Sequence, residues 1–216
     1  MTFGLKRAAR HVVLFAACAG SFVHAQAPSS PTDAFTAQVE ALAAIQTLNA
    51  ELLSSRSATL TLETWCRDHH LADPPKIVAH QTANTQKPPT AEQRQRLEVA
   101  GDEAVRYRHV QLACGTRVLS EADNWYVPRR LTGEMNRILE TTETPFGRAV
   151  QALEPYRRTF TIALLWAPIA SPHQAAPPDG VLLHRAILYT KDHKPFSEVS
   201  EVYQREILAF LPELTR

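Results

Sequence analysis

The stretch that decides the fold is Tyr107–Pro128, with the sequence YRHVQLACGTRVLSEADNWYVP. Along its first arm Arg108, Val110 and Leu112 alternate with different neighbours, which is the two-residue period of a strand with two unlike faces. Gly115 marks a turn, and a second arm rich in β-branched and aromatic residues follows it. The stretch therefore predicts a β-hairpin.

Two helices are expected after this hairpin. Thr132 is a suitable N-cap, and Met135, Ile138 and Leu139 follow it at helical spacing. A second, short helix is expected to begin near Gly147. The first N–H groups of a helix lack partners within it, so this helix and a nearby strand arginine would offer two converging kinds of anion donor.

The remaining chain predicts helices first and strands last. A helix is expected from Ser30-Pro31, where a cap residue precedes a proline, and the segment 86–95 reads as a surface loop. The other predicted elements are a helix at 58–70 and strands at 76–83, 158–166, 181–189 and 196–203. Strands joined by hairpins, with helices before and between them, indicate an α+β fold with an antiparallel sheet of six strands and helices packed on it.

The N-terminus has the pattern of a secretory signal. Three basic residues precede an apolar run that ends in small residues before Ala25. We expect a signal peptide over residues 1–25, a leader over 26–36 and one domain over 37–216, exported to a bacterial periplasm. The alternative is a lipoprotein anchored at Cys18.

Composition argues against several functional classes. The formal charge is +1, charged residues make up 21%, and the body has no long uncharged apolar run, so neither nucleic acid nor stable membrane insertion after signal cleavage is expected. No His-x-x-x-His or Cys-x-x-Cys spacing indicates a metal site. We expect a monomer without metal or cofactor.

Two cysteines, Cys66 and Cys114, remain after the predicted cleavage. An oxidising compartment would favour a disulfide between them. The alternative is that each is a small buried hydrophobe, and the sequence does not supply the Cα separation that decides.

The order of short motifs along the chain resembles chorismate lyase, whose fold the UTRA domains share. The motifs are Leu52-Leu53, Ser57-Ala58-Thr59, Arg108 in an apolar strand, Tyr126-Val127-Pro128, Thr144-Pro145-Phe146-Gly147-Arg148, Lys194-Pro195 and Ser200-Glu201-Val202-Tyr203. The resemblance implies a six-stranded antiparallel sheet with a ligand buried under flaps. It also implies a cofactor-free elimination of pyruvate from chorismate, or from a related enolpyruvyl or aromatic carboxylate, to give 4-hydroxybenzoate.

The resemblance assigns roles to particular residues. Arg108 would bind a ligand carboxylate, Gly147 with its neighbour Phe146 would approach the ligand, and Glu201 would be the acid/base carboxylate. A guanidinium suits a planar carboxylate, and a shielded glutamate suits proton transfer. Arg185 is a candidate second carboxylate clamp.

Each assignment has an alternative. Arg108 would face Glu121 if the turn lies at 114–115, or Asp123 if it lies at 115–116, and would then form a simple cross-strand ion pair. Glu198 rivals Glu201 as the acid/base. Gly147 would serve only as a turn residue and Arg185 as a strand-edge arginine. For the whole protein, the alternative to the lyase is a non-catalytic periplasmic binding protein that holds a small aromatic carboxylate in the same pocket.

Overall fold

The computed structural model describes residues 1–2, 31–82, 86–168 and 176–211. Residues 3–25 of the predicted signal peptide, with Cys18 among them, and residues 26–30 of the leader lie outside these residues. The fold is α+β, as predicted, with one six-stranded antiparallel sheet in the order β1-β2-β3-β6-β5-β4. The strands are β1 Ile77–Gln81, β2 Arg106–Cys114, β3 Arg117–Tyr126, β4 Tyr156–Leu164, β5 Gly180–Tyr189 and β6 Pro195–Gln204.

Five α-helices are described, and local capping explains where three of them begin. Ser57, Thr90 and Thr132 each place a side-chain oxygen on a backbone N–H of the first turn. The helices are α1 Pro31–Ser54, α2 Ala58–Asp68, α3 Ala91–Arg96, α4 Gly133–Thr141 and α5 Phe146–Ala149. None of the described helices is long and apolar enough to cross a bilayer.

The segment 86–95, predicted as a loop, contains the start of a helix. Thr90 and Gln93 form a reciprocal capping box, in which each side chain accepts from the other residue's backbone N–H. The prediction was wrong because the short helix lacks an apolar stripe, while the cap that starts it was present in the sequence.

The central hairpin differs from its predicted register. A bulge between Leu112 and Ala113 shifts the pairing, so Arg108 lies opposite Asn124 and not opposite Glu121 or Asp123. The cross-strand ion pair that either turn placement predicted is therefore not formed.

The sheet has two unlike faces, which we call the inner and the outer face. Helices α1, α2, α4 and α5 cover the inner face, whose two central rows are Arg108–Asn124–Val199–Ala186 and Val110–Ala122–Glu201–His184. Helix α3 lies on part of the outer face, where Leu97 packs with Trp125. The inner core consists of two apolar clusters, and polar residues lie in these two central rows.

Candidate functional site

Buried polar side chains concentrate in the two central rows of the inner face. Arg108, Asn124, Glu201 and His184 are all nearly inaccessible to solvent. Buried polar groups normally have hydrogen-bond partners, so each unpaired one calls for an explanation, such as a bound water, ion or ligand. We call this group of residues the polar seam.

Arg108 lies in the seam with most of its donors unused. Its side chain is 6% exposed, and Nη2 donates to the carbonyl oxygen of Thr144 over 3.2 Å. Nε and Nη1 are buried and have no hydrogen-bond partner in the described structure. Burial lowers the pKa of the guanidinium. Arg108 therefore carries a buried positive charge and has no carboxylate partner among the described residues.

Asn124 is the cross-strand neighbour of Arg108 and has an unused donor of its own. Its Oδ1 accepts a hydrogen bond from the hydroxyl of Ser197, while its Nδ2 is buried and unpaired. Directly opposed residues of an antiparallel pair lie about 5 Å apart. Unpaired donors of two neighbouring side chains, one of them cationic, thus lie together, an arrangement that suits an anion.

Glu201 is on the same face as Arg108, but the protein itself pairs it. Arg157 Nη2 lies 2.6 Å from Glu201 Oε2, off the hydrogen-bond direction, and the Tyr203 hydroxyl donates to the same oxygen over 3.2 Å. Burial by itself would lower the pKa of Arg157, but Glu201 and Tyr203 raise it above its ordinary value. Burial, with Glu201, raises the pKa of Tyr203. By strand spacing and rise, the Cα atoms of Arg108 and Glu201 are roughly 12 Å apart.

His184 is the cross-strand neighbour of Glu201, and sequence reasoning did not assign it to the site. Its ring is fully buried; Nε2 lies 2.8 Å from Asn49 Oδ1, and Nδ1 has no partner among the described residues. Burial and the neighbouring Arg157 lower the pKa of His184 to about 4, against the opposite effect of Glu201. Its position beside Glu201 follows from strand pairing, which the sequence did not reveal.

Gly147 and Phe146 have packing reasons for their identity. A Cβ on Gly147 would lie 2.7 Å from Ser57 Oγ and 2.8 Å from Thr59 Oγ1, so the missing side chain allows α5 to approach α2. Phe146 packs in the inner core, 5.6 Å from the ring of Tyr126. Because α5 spans four residues and its Arg148 and Ala149 N–H groups bond Pro145, it adds few anion donors.

Arg185 and Glu198 lie on the outer face, away from the polar seam. Glu198 is 1% exposed and accepts two hydrogen bonds from Arg96, each 2.8 Å long. Gln93 donates to it over 3.3 Å, and Arg185 over 3.4 Å. The structure thus separates both residues from Arg108 and Glu201. It makes Arg185 a partner of Glu198, and it leaves Glu201 as the carboxylate on the inner face.

Cys66 of α2 and Cys114 at the end of β2 are joined by a disulfide, with their Cα atoms 6.4 Å apart. Both are fully buried in the larger apolar cluster. The bond ties the helical layer to the strand that carries Arg108. Among the described residues, no group of histidine, cysteine or acidic side chains is placed to hold a metal ion.

A pocket of about 600 Å³ opens at the β2 edge of the sheet, where β1 has ended. Arg108, Tyr126 and Leu139 belong to its wall, as do Lys87 and Arg106. Arg106 forms an ion pair with Glu140 of α4. Lys87 likewise pairs with Asp123, over 2.8 Å. The pocket therefore gives a route from solvent toward the Arg108 side of the seam, and the two other cations along it are each paired with a carboxylate.

Comparison with known proteins gives one close relative. The uncharacterized protein y4mC of Sinorhizobium fredii is 49% identical over 186 residues, which cover 80% of this chain and 78% of that protein. The chain belongs to the family of y4mC. No protein-family model matches the sequence. The y4mC family assignment adds no activity, because this relative is itself uncharacterized.

Solved structures with a similar fold include bacterial transcriptional regulators or domains of them. PhnF from Mycobacterium smegmatis has a TM-score of 0.48 and 14% identity, covering 70% of this chain and 65% of PhnF. The ligand-binding domain of a putative GntR-family regulator from Bordetella bronchiseptica has a TM-score of 0.42 and 18% identity, covering 59% of this chain and 82% of that domain. The possible regulator YydK from Bacillus subtilis has a TM-score of 0.42 and 16% identity, covering 61% of this chain and 58% of YydK. The chain thus spans less than two thirds of PhnF and YydK.

Proposed function

We propose that this protein binds a small carboxylate in the polar seam, with Arg108 and Asn124 as the carboxylate donors. The observation that carries the proposal is the pair of buried, neighbouring side chains that each keep donors without an acceptor among the described residues. An unpaired buried charge is unfavourable, and a bound carboxylate would relieve it through charge-assisted hydrogen bonds. The pocket beside Arg108 supports entry of a ligand from this edge.

Binding of benzoate and 4-hydroxybenzoate to the purified domain, measured by titration calorimetry, tests this function. We expect Arg108→Met to weaken binding about 10- to 150-fold, the range for losing hydrogen bonds to a charged group. Arg137→Met is the matched control, because Arg137 is an exposed arginine on α4 paired only with Glu134. Unchanged affinity in Arg108→Met, or no binding of either compound, would contradict the proposal.

A second candidate is the elimination of pyruvate from chorismate, or from a related enolpyruvyl or aromatic carboxylate. The observation that favours it is that Glu201 is buried on the same face as Arg108, at a separation a ring-sized substrate can bridge. Proton transfer would need Glu201 to exchange its contact with Arg157 for one with substrate. The simpler function, binding without turnover, needs no such exchange, and we therefore place it first.

Incubating the domain with chorismate and following 4-hydroxybenzoate separates these two functions. Turnover that Glu201→Gln abolishes, while chorismate binding persists, would establish the lyase. Binding without product, even at high protein concentration, would leave the carboxylate-binding protein.

We further propose that the protein acts outside the cytoplasm, after removal of residues 1–25. The basic and apolar pattern of that segment supports export, and the disulfide suits an oxidising compartment. Cell fractionation with N-terminal sequencing of the mature chain distinguishes cleavage after Ala25 from a lipoprotein beginning at Cys18. An uncleaved chain in the cytoplasm would overturn export.

A further inference from the structure

We infer that the open edge of strand β4 pairs, antiparallel, with the same edge of a second copy of this chain, so that two sheets join into one. The partner is thus another molecule of this protein, where the sequence alone led us to expect a monomer. The inference does not depend on carboxylate binding, because β4 and the pocket beside Arg108 lie at opposite ends of the sheet.

The two edge strands of the sheet are protected to different degrees. β1 has five residues, and the N–H of Ala79 on its open side donates to the carbonyl oxygen of Glu143 over 2.8 Å. β4 has nine residues, and no backbone hydrogen bond joins its open side to another described residue. Unpaired N–H and C=O groups along an edge are a template for a further strand. β4 is therefore the edge at which the sheet can grow.

Only the first half of β4 has the features that usually keep an edge strand from pairing. Arg157 and Arg158 supply charge, and a bulge lies between Thr159 and Thr161. From the bulge to Pro168 the chain has no charged residue. The second half of β4 is thus an unprotected edge.

Apolar side chains flank this unprotected half on both faces of the sheet. Ile162 is on the inner face and is 47% exposed. Phe160 is on the outer face, next to the guanidinium groups of Arg96 and Arg185, and is 43% exposed. Leu165, just after the strand, is 40% exposed. A strand added at this edge would remove part of this apolar surface from water, which favours association.

The direction of the backbone groups shows which residues would pair with the second copy. Leu165 N–H donates to the carbonyl oxygen of Val181 over 2.9 Å, so Leu165 and Ala163 face β5. Alternate residues of a strand direct their N–H and C=O groups to opposite sides. The groups of Ile162 and Leu164 therefore point to the open side.

The charges near this edge favour an antiparallel arrangement about Ala163. A parallel pair would set the arginines of both copies side by side, where they repel. In the antiparallel pair Arg158 lies level with Pro168 of the second copy, and Pro168 ends the pairing because it has no N–H. Asp179 precedes β5 at that end and has a largely exposed carboxylate, 3.4 Å from Arg205. The cationic end of each copy thus meets the acidic end of the other.

The size of the contact sets the expected affinity. A shared edge of about ten residues is roughly 33 Å long, and a sheet is about 10 Å thick, so the contact covers roughly 330 Å² on each copy. A standard stable interface covers about 800 Å² per partner. We therefore expect a reversible dimer with a dissociation constant between about 1 μM and 1 mM.

Sedimentation velocity of the purified protein over this concentration range tests the inference. We expect Ile162→Lys to weaken the dimer at least about 10-fold, because it places two ammonium groups near the two-fold axis of an otherwise apolar edge. Leu53→Lys is the matched control, since Leu53 is also 47% exposed but lies on α1. A protein that is monomeric up to about 1 mM, or a dimer that both variants weaken equally, would overturn the inference.

Amide hydrogen exchange of the wild-type protein, followed residue by residue by NMR, does not depend on the folding of any variant. The N–H groups of Ile162 and Leu164 should exchange rapidly in dilute protein and slow at least about 10-fold as the dimer forms. The N–H of Leu165, already bonded to Val181, should be protected at every concentration. Rapid exchange of Ile162 and Leu164 in a dimer would show that another surface pairs. Protection that does not change with concentration would show that the chain covers its own edge, and either result overturns the inference.

Discussion

Two buried charged side chains, one on each face of the sheet, are partnered in opposite ways. On the outer face, Glu198 is buried and accepts hydrogen bonds from Arg96, Gln93 and Arg185. On the inner face, Arg108 is buried with a single carbonyl partner. Burial of a charge alone does not distinguish a structural group from a binding group. The number of unused donors or acceptors does, because only unpaired groups gain from a ligand.

The largest expected effect is on the inner face, where His184 makes the free energy of unfolding depend on pH. Its pKa falls from an ordinary 6.5 in the unfolded chain to about 4 in the folded protein, so the unfolded state binds more protons between these values. Its contribution is fully present above pH 6.5 and is lost as pH falls toward 4, by about 3 kcal/mol. Chemical denaturation across this range measures it.

The matched control for the pH series is His184→Gln, which removes the titrating ring and should flatten the stability curve over this window. If wild type and His184→Gln lose stability in parallel as pH falls, the inner face does not hold this histidine neutral.

A middle-sized effect is expected on the outer face, where Arg96→Met removes the main partner of Glu198. The carboxylate would remain buried with Gln93 and a longer contact to Arg185. We expect a loss of about 2 kcal/mol in unfolding free energy, since losing two hydrogen bonds leaves the buried carboxylate only partly satisfied. Arg137→Met, on an exposed pair, should change little under the same urea denaturation.

The smallest effect on stability is expected for Arg108→Met. Replacing an unpaired buried charge by an apolar side chain of similar length should be neutral or should stabilise the ligand-free protein by about 1 kcal/mol. The measurement is again urea denaturation, without ligand. Destabilisation as large as that of Arg96→Met would show that Arg108 is structural, and the contrast between the two faces would then be lost.

Part of the candidate site was predictable from side-chain alternation. Glu201 and Glu198 are three residues apart on one strand and must point to opposite faces, so deciding the face of one decides both. The capping box at Thr90 was likewise readable as a helix start. By contrast, the bulge that sets Arg108 opposite Asn124 left no sequence signal that we recognised.

The sequence by itself determined that strands joined by hairpins would build an antiparallel sheet under helices, because alternation and turn residues are local properties. It also marked Arg108 and Glu201, through the resemblance of their motifs. Only the tertiary structure decided that Arg157 neutralises Glu201, that Asn124 joins Arg108 and that Asn49 fixes the ring of His184. Those contacts join residues far apart in the chain, and local sequence patterns do not encode which distant groups pack together.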